Sequence, residues 1–197
     1  MNKEEERTRW LNQRSDKFTI VLNDNELNNL KSANHILQEF KLSDQIGLVF
    51  IAVIKHDRDK LDDGVSLKTL HYHVVVHLNK ICRISTLLKY IMDTFHLNEN
   101  QVSMDKCNSL CMQSRYLIHL DDFDKERYYE SEVATNDVNV LNRYFSLVII
   151  RDIHDLIGVV KKYHYDLEEI MLNISNYDKW RKYINDLIIN AHRKGTY

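Results

Sequence analysis

Leu70-His71-Tyr72-His73-Val74-Val75-Val76 is the stretch on which the fold turns. Its β-branched and aromatic residues favour a strand. Successive side chains of a strand point to opposite faces. His71 and His73 therefore share one face, and Tyr72 and Val74 share the other. Two imidazoles side by side on a rigid strand suit one divalent ion. His77 lies on the same face as His73, but the strand rise places it roughly 13 Å away, so it reads as a rim residue.

A partner strand is written just upstream. Leu48-Val49-Phe50-Ile51-Ala52-Val53-Ile54 is an apolar run of buried-strand type. It ends in Lys55-His56-Asp57-Arg58-Asp59-Lys60, and Leu61-Asp62-Asp63-Gly64 follows as a turn. A strand that delivers His56 and Asp59 beside a His-x-His strand assembles a mixed nitrogen and oxygen site. Such donors accept Mn²⁺, Mg²⁺, Zn²⁺, Fe²⁺ or Co²⁺, so the residue types alone leave the metal open. Asp57 reads as a loop residue.

Downstream, Met112-Gln113-Ser114-Arg115-Tyr116-Leu117-Ile118-His119 begins as a helix in which Tyr116 and His119 share a side. A phenol with a pKa near about 10 is a weak nucleophile. A metal that polarises a phosphate makes it competent. The chain has eleven tyrosines, so one tyrosine alone would be ordinary packing.

Taken in order, these segments resemble the rolling-circle replication initiators of small Gram-positive plasmids, members of the His-hydrophobe-His (HUH) endonucleases. The matching residues are His56-Asp57-Arg58-Asp59, His71-Tyr72-His73 and Arg115-Tyr116-Leu117-Ile118-His119. Asp121-Asp122-Phe123-Asp124-Lys125-Glu126-Arg127-Tyr128 resembles the family's acidic stretch ending in Lys-x-x-Tyr. The likeness spans roughly residues 16–137. It implies a nickase with a single catalytic tyrosine, Tyr116, which joins covalently to a 5′ phosphate. It also implies a Mn²⁺ or Mg²⁺ ion on His56, Asp59, His71 and His73, with Arg115 and His119 in supporting contact with DNA. Implied partners are single-stranded or stem-loop origin DNA, further copies of the chain and a host replication helicase. Tyr128 and Tyr129 are candidate second nucleophiles, with structural or DNA-stacking roles expected ahead of that one. The chain departs from the pattern in having no proline at all, with Phe123 where the acidic stretch usually carries one.

The rest of the chain sets bounds. With 197 residues and 44% apolar content it can bury a sizeable core. A net charge of −2 argues against a protein that coats DNA indiscriminately, so binding must use local patches. Candidates are Lys3, Arg7, Arg9 and Arg14, then Lys80, Arg83 and Lys89, and Arg115 beside Tyr116. The three cysteines, Cys82, Cys107 and Cys111, are scattered, which suits reduced thiols in a cytoplasm. No run is long and apolar enough to span a membrane, and the charged N-terminus does not read as a signal peptide.

The pattern predicts an α+β fold of ferredoxin-like type, which is also the core that the HUH resemblance implies: an antiparallel sheet with flanking helices and a small C-terminal helical domain. Strands are expected at Lys17–Asn23, Gly47–Lys55, Thr69–Leu78 and Gln101–Asp105. A helix capped by Asp24 or Asn25 should run to Phe40, and a second should start at Ser85 or Thr86. This β-α-β-β-α-β order builds the ferredoxin-like sheet. Residues 1–136 form the expected nicking domain. Residues 137–197 form a helical domain with helices over Val138–Val160, Asp166–Ser175 and Tyr177–Ala191, serving oligomerisation or duplex binding. Other readings are an RNA-recognition-like binding module, an HUH transposase or relaxase, and a metal-dependent hydrolase that uses water. The first lacks the aromatic, glycine-containing signature of that module.

Overall fold

The computed structural model describes residues 2–23, 30–41, 47–122, 124–148, 150, 153–174 and 177–194. The chain divides into two compact units, Met1–Leu141 and Asn142–Tyr197, five residues beyond the expected limit at 136.

Helix α1 (Lys3–Leu11) opens the first unit. It is followed by β1 (Arg14–Asn23), α2 (Ala33–Lys41), β2 (Leu48–His56), β3 (His71–Arg83), α3 (Ile84–Phe95), β4 (Val102–Lys106), α4 (Leu110–Leu117) and β5 (Ala134–Thr135). The strands form one antiparallel sheet in the order β4-β1-β3-β2-β5. The α+β class and the β-α-β-β-α-β order are those the sequence predicts, with β5 added at the edge.

Period-two alternation decides what each face of the sheet does. Phe18, Ile20 and Leu22 of β1, Ile51 and Val53 of β2, and Tyr72, Val74, Val76 and Leu78 of β3 all point to one face. There they meet Ile36, Leu37 and Phe40 of α2 and Leu87, Leu88, Ile91 and Phe95 of α3 in one buried core. The other face carries His71, His73, Val75 and His77 of β3, Thr19 and Val21 of β1, and His56 of β2. Helix α4 packs over β3 and β2. His77 sits toward the rim, with its Nε2 3.4 Å from Asp16 Oδ2.

Two helical expectations change. The helix expected from Asp24 or Asn25 starts instead at Ala33, while Asp24, Asn25 and Leu27 lie outside the described residues. The cap is Ser32. Its hydroxyl accepts from His35 N–H (3.1 Å) and its carbonyl from Ile36 N–H (3.1 Å). Leu30, read as one rung of that helix, is a buried non-helical residue whose carbonyl accepts from Tyr72 Oη–H (2.9 Å). Phe123 also lies outside the described residues.

The continuous helix expected over Val138–Val160 is interrupted. Helix α5 (Val138–Ser146) ends where Val148 turns extended and bridges Ile174. Val148 N–H donates to Asn173 O (2.8 Å), a pairing that a helix would forbid. Within the second unit α6 (Ile153–Lys162), α7 (Leu167–Asn173) and α8 (Tyr177–Lys194) enclose Ile150, Leu156, Val160, Ile170 and Ile184. Trp180 Nε1–H ties α8 to Ile150 O (3.1 Å). No described helix is long and apolar enough to cross a membrane.

Replacing Ser32 by alanine should lower stability by about 1 kcal/mol in urea unfolding, because His35 N–H then loses its partner. An unchanged midpoint would place the cap elsewhere.

Candidate functional site

Three elements deliver the site. β2 ends in His56, and the turn after it brings Asp59 back under the sheet. That turn opens a tight hairpin in which Lys68 N–H donates to Asp59 O (2.7 Å) and Gly64 adopts a φ of 69°. Antiparallel pairing sets His56 opposite His71 and Ile54 opposite His73. Ring centroids lie 5.5 Å apart for His56 and His71, 4.4 Å for His56 and His73, and 5.0 Å for His71 and His73. All four residues expected at the metal, His56, Asp59, His71 and His73, are gathered.

Backbone carbonyls, which can only accept, fix the histidine tautomers. His56 Nε2–H donates to Leu117 O (2.7 Å), which leaves Nδ1 facing Asp59 Oδ2 at 3.1 Å. His71 Nδ1–H donates to Thr69 O (2.8 Å), so its Nε2 keeps a lone pair 3.7 Å from the same Asp59 oxygen. His119 Nδ1–H donates to Glu126 O (2.7 Å), and its buried Nε2 has no hydrogen-bond partner among the described residues. Lone pairs of His71 and a carboxylate that face one another with no proton between them suit a cation. Carbonyl anchors on the far ring nitrogens are how proteins orient metal-binding imidazoles. Ligand atoms of His56, His71 and His73 all lie within 4.8 Å of one another, as do those of His56, Asp59 and His119. Each triad thus offers donors of the types a divalent ion accepts.

The local electrostatics favour an ionised Asp59 beside neutral rings of His71, His73 and His119. Burial pushes the Asp59 carboxyl up. The hydrogen bond and charge of His56, with help from His119 and Tyr128, outweigh it and hold Asp59 well below the usual carboxylate range. Burial lowers His71 and His119. It drives His73 down to about 2, with repulsion from His56 and His71 adding to it. These three rings are neutral near pH 7.

Helix α4 brings the tyrosine. Ser109 caps it, accepting from Met112 N–H. A left-handed residue ends it: His119, at φ 50°, with Leu120 N–H returning to Arg115 O (3.1 Å) and His119 N–H to Tyr116 O (3.0 Å). Tyr116 is 38% exposed, and its ring centroid lies 5.8 Å from His73 and 5.3 Å from His119. Arg115 goes elsewhere. It is buried, and its Nε and Nη2 grip Asp121 at 2.7 and 2.8 Å, so it braces the turn and is not offered to a phosphate. His119 is likewise buried rather than at a DNA-facing surface.

Two residues of the acidic stretch that were not expected at the site take part in it. Lys125 Nζ–H donates to Tyr116 Oη (2.8 Å) and pairs with Asp122 Oδ2 (3.1 Å). Burial lowers the Lys125 ammonium, but these two partners outweigh it and raise it overall. Tyr128, expected to be structural, is the buried brace of the site. Its hydroxyl donates to Asp59 Oδ1 (3.1 Å) and accepts from Arg58 N–H (2.9 Å). Its ring stacks on His56 at 4.3 Å and 5°, with the Arg58 guanidinium also 4.3 Å from its centroid. Burial pushes its hydroxyl up to about 12, which unfits it as a nucleophile. The only available signal for either residue was the acidic stretch itself.

Residues 11–144 match the family of plasmid replication proteins, origin-binding domain, and the chain belongs to that family. Its partner is accordingly origin DNA. Compared with the curated proteins, the chain has no match.

The lowered imidazoles set the pH response of the metal-free protein. A histidine whose folded pKa lies below its unfolded value of about 6.5 binds its proton first in the unfolded chain, so acid favours unfolding. Asp59, also lowered in the folded state, has the same sense but in a lower pH window. Its contribution is complete above its unfolded value and fades only as pH falls toward its lower folded value, so it is constant between pH 7 and 5. The urea midpoint should therefore fall steadily from pH 7 to 5, with His73 alone contributing a slope approaching about 1.4 kcal/mol per pH unit. His73→Gln should flatten the profile. A midpoint that ignores pH in both proteins would refute the buried, neutral assignment.

Proposed function

We propose that this origin-binding domain nicks and rejoins single-stranded DNA at a plasmid origin, in the manner of HUH rolling-circle initiators, with Tyr116 as nucleophile. The observation that carries this reading is an exposed phenol set against a buried imidazole and carboxylate cluster on one sheet face. His56, Asp59, His71 and His73 would hold a divalent ion, Mn²⁺ or Mg²⁺, which when bound neutralises charge on a non-bridging oxygen of the scissile phosphate.

The chain's own residues supply the rest. Lys125 fixes the phenol oxygen and sets a cation where the phosphate must arrive. The Tyr116 oxygen forms a bond to phosphorus while the bond to the 3′ oxygen breaks. Tyr116 gives up one proton, and the departing 3′ oxygen takes one up. One diester replaces another, so the step costs little and runs backwards to reseal the strand. Tyr128 acts through Asp59 and His56, holding the carboxylate and the imidazole plane.

Purified protein with Mn²⁺ and single-stranded oligonucleotides, including stem-loops, should give a covalent protein–DNA band on a denaturing gel. Tyr116→Phe should abolish that band. Cleavage that persists without the band would point to a nuclease using water. Lys125→Met should slow band formation by roughly tenfold or more, as removal of one preorganised donor does.

Tyr128→Phe keeps the ring stack and deletes one hydrogen bond to Asp59. Calorimetry should show Mn²⁺ affinity reduced by roughly 10- to 100-fold. Unaltered affinity would remove Tyr128 from the site's design.

A further inference from the structure

Helix α4 covers only part of the face that carries the histidines. Beside it opens a cleft of about 160 Å³. Thr19 and Val21 of β1 and Val75 of β3 make its floor, and Gln113, Tyr116 and His73 make its walls. The strand register explains the floor, since Val21 pairs with His73 and Thr19 with Val75. The helix explains the wall. Gln113 and Tyr116 are three residues apart and therefore neighbours on one side, about 4.5 Å along the axis.

Two polar groups of this cleft are unspent. Among the described residues, neither the Gln113 carboxamide nor the Thr19 hydroxyl makes a hydrogen bond. The surrounding site differs. His56, His71, His119, Lys125 and Tyr128 each commit at least one polar atom to a named partner. A free carboxamide offers a donor and an acceptor side by side, the pairing that reads the edge of a base. Val21 and Val75 present an apolar surface to the face of a ring. No lysine or arginine lines the cleft, so it is not built for a phosphate. It suits the uncharged part of a nucleotide, and its size suits one flat ring system without its sugar.

We infer that this cleft is a nucleobase pocket that holds the base adjoining the scissile phosphate, with Gln113 and Thr19 selecting which base is accepted. The assignment rests on the reading of Tyr116 as nucleophile, because Tyr116 forms one wall and fixes which nucleotide is reached.

The test uses the full chain with Mn²⁺ and a pool of oligonucleotides randomised around the nick. Two fractions are sequenced: strands bound to the protein and strands joined to it. The wild-type chain should prefer one base at one position next to the nick, by roughly tenfold, the scale of a single good base contact. Gln113→Leu, of similar volume but without the amide, should flatten the preference at that position and leave preferences elsewhere. Thr19→Val should shift the same position. An unchanged profile in both variants, with covalent product still formed, overturns the pocket and spares the nicking reading. A change at one position in the bound fraction, with no covalent product from any protein, supports the pocket and removes the nucleophile. A wild-type chain with no base preference in either fraction overturns the pocket outright.

Discussion

The register of β3 is the constraint on which everything else depends. Because the side-chain period is two, a slip of one residue would move the whole strand to the wrong faces. Tyr72, Val74, Val76 and Leu78 would leave the helical core, and His71 and His73 would enter it. Two neutral imidazoles in an apolar core would lack partners for their ring nitrogens, at a cost of about 1–3 kcal/mol for each unsatisfied group. Burial of the apolar set in the core and the polar partners that meet the histidine set on the other face thus enforce the same alignment. The site is placed by the force that folds the sheet.

Within that frame the polar cluster is organised around His56. Leu117 O requires a proton on Nε2, and this orients the ring. The remaining Nδ1 faces Asp59 across 3.1 Å, a gap that a proton or a metal ion can bridge. Tyr128 seals the arrangement from the side. Its ring lies flat on His56 while its hydroxyl reaches Asp59, so plane and carboxylate are fixed by one residue. A buried polar group is stable only when its partners are complete, and a cluster with one buried nitrogen still unpartnered is expected where a ligand completes it.

The fold was largely legible because alternation and helical spacing are local signals. β2 and β3 declared themselves through Val49–Ile54 and Val74–Val76, and the His-x-His pair followed from the same alternation. Failures came where a distant partner overruled the local pattern. Leu30 fits a helical stripe, yet its carbonyl is taken by Tyr72, 42 residues away, and Ser32 starts the helix later. Val148 lies inside the span expected as one helix too, but pairs with the strand-like residue Ile174. Arg115 looked available beside Tyr116. Its adjacency in sequence said nothing of Asp121, which reaches back from the turn to claim it. Lys125 and Tyr128 were the hardest to assign, because irregular backbone has no period from which a facing side chain can be deduced.

That irregular segment explains why Tyr116, the proposed nucleophile, sits near a helix end. A side chain in mid-helix is approached only by neighbours across the packing interface. At the end of α4, the left-handed His119 reverses the chain, and within ten residues it returns Lys125 to the phenol and Tyr128 to the carboxylate. One non-glycine residue at positive φ costs of order 1 kcal/mol. Here that strain is offset by two backbone hydrogen bonds closing the helix and by the anchor from His119 to Glu126. Gln113 lies one turn earlier on the same side of α4 as Tyr116, where the cleft opens. Where the helix stops thus sets what holds the phenol, Lys125 on the returning segment, beside a cleft floored by Thr19, Val21 and Val75.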